Sequence, residues 1–224
     1  MSGADKGFQH AILATDIVIF AIKEGSLCIL LVKMQKEHFR GYWAVPGGLI
    51  NPSEPVEACA RRNLLKAANA DDVYLEQLYT FGEVDRDPHG RVVSVSYYAL
   101  MPDWRFHLSN STEYNAIEWF SIDDLPELAY DHDDVVLFAI ERLRSKLTYS
   151  NIIFNLMPDT FTLSELQRAY EVVLNKKLDK RNFRKKILSL NQIASTGRRT
   201  VGKAHRPADL YRFKRKTVEI IQVL

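Results

Sequence analysis

The stretch from residue 47 to residue 70, GGLINPSEPVEACARRNLLKAANA, changes character at Pro52. Before that point Pro46, Gly47 and Gly48 mark a turn. After it Val56, Cys59, Ala60, Leu64 and Ala67 recur at spacings of three and four, the stripe of an amphipathic helix. Ser53 is placed to cap this helix, and Pro55 is tolerated in a first turn.

Outward from the helix the pattern is that of strands. ATDIVIFAI and SLCILLVK flank the turn signal KEGS and read as a β-hairpin. LEQLYTFGEVDRD, the turn PHG and RVVSVSYYAL form a second strand-turn-strand pair, and NAIEWFSIDDLPEL a strand leading into a turn. DHDDVVLFAIERLR is a helix with carboxylates crowded at its positive end. Strands and helices mix without strict alternation, which favours an α+β or α/β/α sandwich.

The chain has 224 residues, 46% hydrophobic and 26% charged, as in ordinary globular proteins. It is long enough for one large domain or two smaller ones. Two cysteines, Cys28 and Cys59, suit a reducing compartment, and the amino-terminal residues carry no signal-peptide core, so the expected localisation is cytoplasmic. No apolar run approaches the roughly 20 residues of a membrane span, so no membrane partner is expected.

Charge divides the chain. Residues 1–144 hold 13 Lys and Arg against 22 Asp and Glu, a net of −9; the remaining 80 hold 17 against 6, a net of +11. A split of this kind implies two modules, the basic one suited to a polyanion. The expected boundary lies in the short polar run RSKLTYSN, dividing 1–148 from 149–224.

The basic half reads as a DNA-binding module. Thr162-Leu163-Ser164-Glu165 is a capping box ahead of Leu166, Tyr170, Val173 and Leu174. NKKL makes a turn, and DKRNFRKKILSLN a second helix capped by Asp179. Phe183, Ile187, Leu188 and Leu190 are expected inside, leaving Lys180, Arg181, Arg184 and Lys185 outside; Asn182 either reads a base or caps. Ile193–Ser195 and Asp209–Phe213 then form a hairpin with Arg198, Arg199, Lys203, His205 and Arg206 around its tip. Helix, turn, basic helix and basic hairpin make a winged helix-turn-helix, whose expected partner is double-stranded DNA. A solvated basic face or an RNA partner is the alternative.

Gly48, five residues, Glu54, seven residues and Arg62 resemble the opening of the Nudix box, G-x5-E-x7-R-E-U-x-E-E-x-G-U, and WAVPGG resembles its approach. The match then breaks. Asn63 stands for the first helix glutamate, Lys66 and Ala67 for the glutamate pair and Asn69 for the late glycine, while Leu64 keeps the apolar position. Nudix hydrolases hold divalent metal with those carboxylates, and hard cations need oxygen ligands. Asn offers one neutral oxygen, Ala none, and Lys a competing cation. The expectation is therefore a Nudix-like sandwich with no catalytic residue, metal site or cofactor, and Glu54 and Arg62 kept as a structural pair. Glu57 is either an exposed helix residue or a displaced ligand, which leaves an active ADP-ribose pyrophosphatase as the alternative.

YTFGEVDRDPHGRVVSVSYYAL is similar to the corresponding segment of Nudix enzymes acting on ADP-ribose. In that likeness Arg86 and Arg91 bind phosphate, Phe81, Tyr97 and Tyr98 offer faces to an adenine, and Asp87 accepts from ribose hydroxyls. The other reading is hairpin charges over a half-buried aromatic face. Tyr130, Asp131 and His132, in LAYDHDDV, are a second candidate; Asp131 is equally an ordinary helix cap and His132 an exposed histidine. A metal-less Nudix domain followed by a winged helix-turn-helix resembles the NrtR family, regulators of NAD metabolism. The resemblance implies a homodimer on a palindromic operator, repressing genes of NAD metabolism, with ADP-ribose or a related nucleotide as effector.

Overall fold

The computed structural model describes residues 10–35, 37–70, 72–102, 114, 116–201 and 207–223. Its centre is a strand, β1 (Ile12–Lys23), built from the apolar run read above. Alternation along β1 sends Ile17, Ile19 and Ala21 to one face and Val18 and Phe20 to the other, and all five are buried. β1 is covered on both sides, which is why its apolar run is nearly continuous.

The first half of β1 pairs antiparallel with β4 (Gly47–Leu49), the second half with β2 (Ser26–Lys33). On its other edge β1 runs parallel to β6 (Val92–Met101), which pairs antiparallel with β5 (Tyr74–Phe81). β3 (Trp43–Ala44) and β7 (Ile117–Ser121) both pair with β2, completing a mixed seven-stranded sheet.

One helix covers each face. α1 (Val56–Ala68) buries Cys59, Ala60, Leu64 and Ala67 against Ile17, Ile19 and Ala99. Its N-cap is Pro55, with no side-chain cap, so Ser53 is not the cap. α2 (His132–Tyr149) packs Val135, Val136, Ala139, Ile140, Leu143 and Leu147 over Val18, Phe20 and Tyr98. The run RSKLTYSN is therefore mostly helix, the last turns of α2. Leu143 and Leu147 carry the apolar stripe onward, and burying them outweighs the run's polarity.

The core below α2 continues into the basic half. A short turn of 3-10 helix (Ile152–Leu156) leads to α3 (Leu163–Leu174), α4 (Lys180–Ser189) and the hairpin β8 (Ile193–Arg199) and β9 (Asp209–Phe213). The α3 capping box is formed, with bonds of 2.8 and 3.1 Å between Thr162 and Glu165, and Asp179 caps α4 at 2.8 Å. Phe183 and Ile187 face inward as expected, but Leu188 is 49% exposed. It lies one position past Ile187, about 100° around a ten-residue helix whose inner face needs only one residue per turn. β8 runs further than expected, to Arg199.

Ile153, Leu156, Phe161, Leu166, Val173 and Phe183 join the same buried cluster as Phe20 and Leu143. After β9 the chain returns to the end of α2. Ile221 and Val223 donate backbone bonds to Tyr149 and Thr148, and Asn151 exchanges bonds with Glu219 and donates to the Thr217 carbonyl. The two halves thus share one core. Phe161→Ala, at a site with no exposure, is expected to cost about 3–5 kcal/mol. Urea unfolding followed by tryptophan emission, which includes Trp43 and Trp119 of the sheet, and by far-ultraviolet dichroism should show one coincident transition, shifted alike by both probes.

Candidate functional site

Between the end of α2 nearest β1, the turn before β4 and the loop after β5 lies a cavity of 390 Å³. Asp16, Val45, Gly47, Arg86, Asp87, Tyr130 and His132 are among its lining residues. Asp16 is a carboxylate set into an otherwise apolar strand, so its partners decide whether it is tolerated. Arg86 supplies one, donating from Nη2 at 3.1 Å. The same guanidinium donates from Nε and Nη2 to both oxygens of Asp131, at 2.8 and 2.6 Å. Burial works against charge on Asp16, but the His132 ring, Ser94 and Arg86 outweigh it and bring the carboxyl from 3.8 to about 2. Asp16 is thus ionised at neutral pH.

His132 is buried. The Val45 amide donates to its Nδ1 at 3.2 Å, so Nε2 carries the proton and faces Asp16 Oδ1 at 3.6 Å. Gly47 is required here: a Cβ at that position would lie 2.5 Å from Asp16 Oδ1 and 2.6 Å from the Thr15 carbonyl. Asp131 occupies the N-cap of α2 yet makes no cap bond, because Arg86 takes both its oxygens. It forgoes a cap worth about 1 kcal/mol. Tyr130, just before it, has a φ of 59°, a conformation bulky residues rarely adopt. This places the Tyr130 ring 4.4 Å from Phe39 and 5.2 Å from His132. Burial, with Asp87 and Asp16 nearby, pushes its hydroxyl up to about 12.

Of the seven ligand-binding residues expected from sequence, Arg86, Asp87 and His132 line the cavity. Asp131 stands behind Arg86 and touches it. Asp87 also caps the PHG turn, accepting from the His89 amide at 2.8 Å. The other three lie elsewhere. Phe81 packs on Tyr79 and Phe138 of α2. Arg91 donates to the Gly82 and Glu83 carbonyls at 2.7 and 3.0 Å. Tyr97 is buried on the α1 face, and Tyr98 lies on the opposite face with its hydroxyl on Glu76. Strand alternation separates Tyr97 from Tyr98, and neither reaches the cavity. Tyr130, read with Asp131 and His132 as the second candidate, lines the cavity, and Phe39 packs on its ring. Asp16 and Tyr114 line it too and were not singled out; only Asp16, a lone acid in an apolar strand, left a trace in the sequence.

The motif helix shows what became of the Nudix positions. Arg62 donates to both oxygens of Glu54 at 2.7 and 2.8 Å and to the Leu49 carbonyl at 3.1 Å, pinning the loop to α1. Those bonds hold the Glu54 carboxyl at about 2. Asn63 is 1% exposed; its amide donates to Thr15 Oγ1 at 3.1 Å and its oxygen accepts from Arg62 at 3.4 Å. Ala67 is fully buried. Glu57 is exposed and pairs with Arg61 at 2.9 Å. This donor set does not fit a divalent cation, and among the described residues no cluster of His, Cys, Asp and Glu would hold one.

On the basic half α4 exposes Lys180, Arg181, Asn182, Lys185 and Lys186. Arg184 is half-buried instead, its Nη2 3.3 Å from Ser164 Oγ at the start of α3. Arg198 is exposed on β8, and Arg199 pairs with Asp209 across the hairpin at 2.9 Å. Lys203, His205 and Arg206 lie outside the described residues. Exposed Arg212, Lys214, Arg215 and Lys216 extend the basic surface beyond the sequence reading.

Residues 153–213 match the NrtR DNA-binding winged helix domain and residues 11–139 the NUDIX domain. An ADPR-responsive transcriptional repressor NtrR of Acinetobacter baylyi is 34% identical over 210 residues, 92% of this chain and 83% of that protein. The crystal structure of Shewanella oneidensis NrtR complexed with a 27mer DNA superposes with a TM-score of 0.80 at 32% identity, covering 90% of this chain and 93% of that one. The NUDIX domain of the same Shewanella protein complexed with ADP ribose superposes with a TM-score of 0.57 at 32% identity, covering 63% of this chain and 94% of that one.

The Asp16 shift has a pH signature. A carboxyl lowered in the folded state contributes stability above its unfolded value, near 4, and loses it as pH falls through about 2. The shift corresponds to about 2 kcal/mol at neutral pH. Asp16→Asn is expected to be less stable than the parent at pH 7 by about that much, with the gap closing between about pH 4 and about pH 2 in urea titrations.

Proposed function

This chain belongs to the NrtR family, and on that premise we propose that it represses genes of NAD metabolism, with its Nudix pocket sensing ADP-ribose or a related nucleotide without cleaving it. The observation that carries this reading is the pairing of an intact pocket with a motif helix stripped of metal ligands. Asp16, Arg86 and His132 form a polar floor under a cavity large enough for a nucleotide, with the Tyr130 and Phe39 rings beside it. Beneath the β4 turn, the position of the first helix glutamate holds an amide already bonded to Thr15 and Arg62. A sensor gains by leaving its ligand intact, and loss of the carboxylates achieves that.

The basic half supplies the output. Arg181, Asn182 and Lys185 project from the outer face of α4, the position from which a recognition helix reads a major groove. Arg198, with Arg199, Lys203, His205 and Arg206, is assigned to backbone contacts by the wing. Arg184 acts at one remove, joining α4 to α3 through Ser164. The proposed functional division follows the charge, 1–148 for sensing and 149–224 for DNA, and the cytoplasm as the place of action follows from the DNA partner. A homodimer on a palindromic operator places two α4 helices in successive major grooves.

A gel-shift titration tests this directly. The chain should bind duplex operator DNA, and saturating ADP-ribose should weaken binding by about tenfold or more. An unchanged operator affinity would remove the sensor. Arg181→Glu should weaken DNA binding by about 5-fold or more (roughly 1–3 kcal/mol), as the loss of a charged groove contact implies, with ADP-ribose binding kept.

A further inference from the structure

The pocket and the DNA-binding half are joined by α2, and the way α2 is held at each end is unusual. At its start, Asp131 leaves the helix uncapped and grips the pocket guanidinium with both oxygens. At its end, residues 148–151 form a ladder with the segment that follows β9: Val223 to Thr148 at 3.1 Å, Ile221 to Tyr149 at 2.8 Å and Asn151 to Glu219 at 3.2 Å. Along its flank Arg144 donates from Nε to the Val173 carbonyl of α3 at 2.9 Å. An 18-residue helix is a rod roughly 27 Å long.

We propose that Asp131 is the residue that couples the pocket to the DNA-binding half, standing on Arg86 where a ligand phosphate would stand. Its inference rests on the reading of the pocket as an ADP-ribose site. Two oxygens of a phosphate match the guanidinium fork as two oxygens of a carboxylate do. An anion that draws Arg86 loosens the Asp131 grip. The start of α2 is then free to take a capped geometry, and the shift passes through the rod to α3 and to the strand leaving the wing. The bound and free states differ in their contacts, as a ligand-driven change requires. Asp16 still holds Arg86 from β1, so the guanidinium stays in the pocket while its second partner changes.

Asp131→Asn isolates the coupling. Asn caps helices as well as Asp, so α2 is kept, but the charge that grips Arg86 is gone. Without ligand, this variant should bind operator DNA about 5-fold or more weakly than the parent, and ADP-ribose should change its operator affinity by no more than about 3-fold. Calorimetry should show ADP-ribose binding as tightly as in the parent, or more tightly. Ligand-free operator affinity equal to the parent's, with a full response to ADP-ribose, overturns the proposal. Arg144→Met touches neither ligand and guards against misfolding at the pocket. It should keep both separate affinities within about 2-fold and cut the effect of one on the other; an undiminished effect counts against α2 as the connection. If the parent chain itself does not bind ADP-ribose in calorimetry, the pocket reading fails, whereas a weakened ligand-free operator affinity in Asp131→Asn still supports the coupling.

Discussion

The buried guanidinium of Arg86 organises this molecule. It sits between a carboxylate on the central strand and one at the start of α2, with its side chain 4% exposed. Burying one such charge unpaired costs several kcal/mol, and breaking a buried pair about 3–5 kcal/mol. The loop after β5, the first half of β1 and the start of α2 are therefore fixed relative to each other by one side chain. They are also three walls of the pocket. Structure and site depend on the same contact, so a ligand that competes for Arg86 acts on the scaffold itself.

The motif helix is held in place by contacts of its own. Glu54 and Arg62 lock the turn onto α1, and Gly48 lies so close to Asn63 that a Cβ there would meet the amide oxygen at 3.2 Å. These contacts need the helix but not a metal. Position 63 is an internal hydrogen-bonding residue, joined to Thr15 on β1. The pocket on the far side of β4 keeps its shape because β1 pairs with β4 through residues 14–16.

Much of this was legible in the sequence. Periodicity found α1, the hairpins and the winged helix, because each buries a regular stripe or obeys a turn with one chemistry. The charge split falls between the spans that match the two domains, 11–139 and 153–213. What escaped were contacts between residues distant along the chain. Asp131 looks like a cap, and only the arrival of Arg86 from 45 residues away turns it into something else. Phe81 and Tyr97 look like stacking faces, but the sheet points them at α2 and α1. Tyr130 reads with its neighbours at the start of α2, but the backbone conformation that turns it to the cavity is one no propensity favours. The return of residues 217–223 to α2 carries no local signal, because its bonds are to a helix end and one buried asparagine.

The central claim is that this pocket holds a nucleotide diphosphate and leaves it whole. Phosphorus NMR of ADP-ribose with an equimolar amount of the chain, in excess magnesium, reads both parts at once. The account predicts diphosphate resonances displaced by binding and unchanged over many hours. Appearance of the monophosphate resonances of AMP and ribose phosphate, lost in Glu57→Gln, would contradict it.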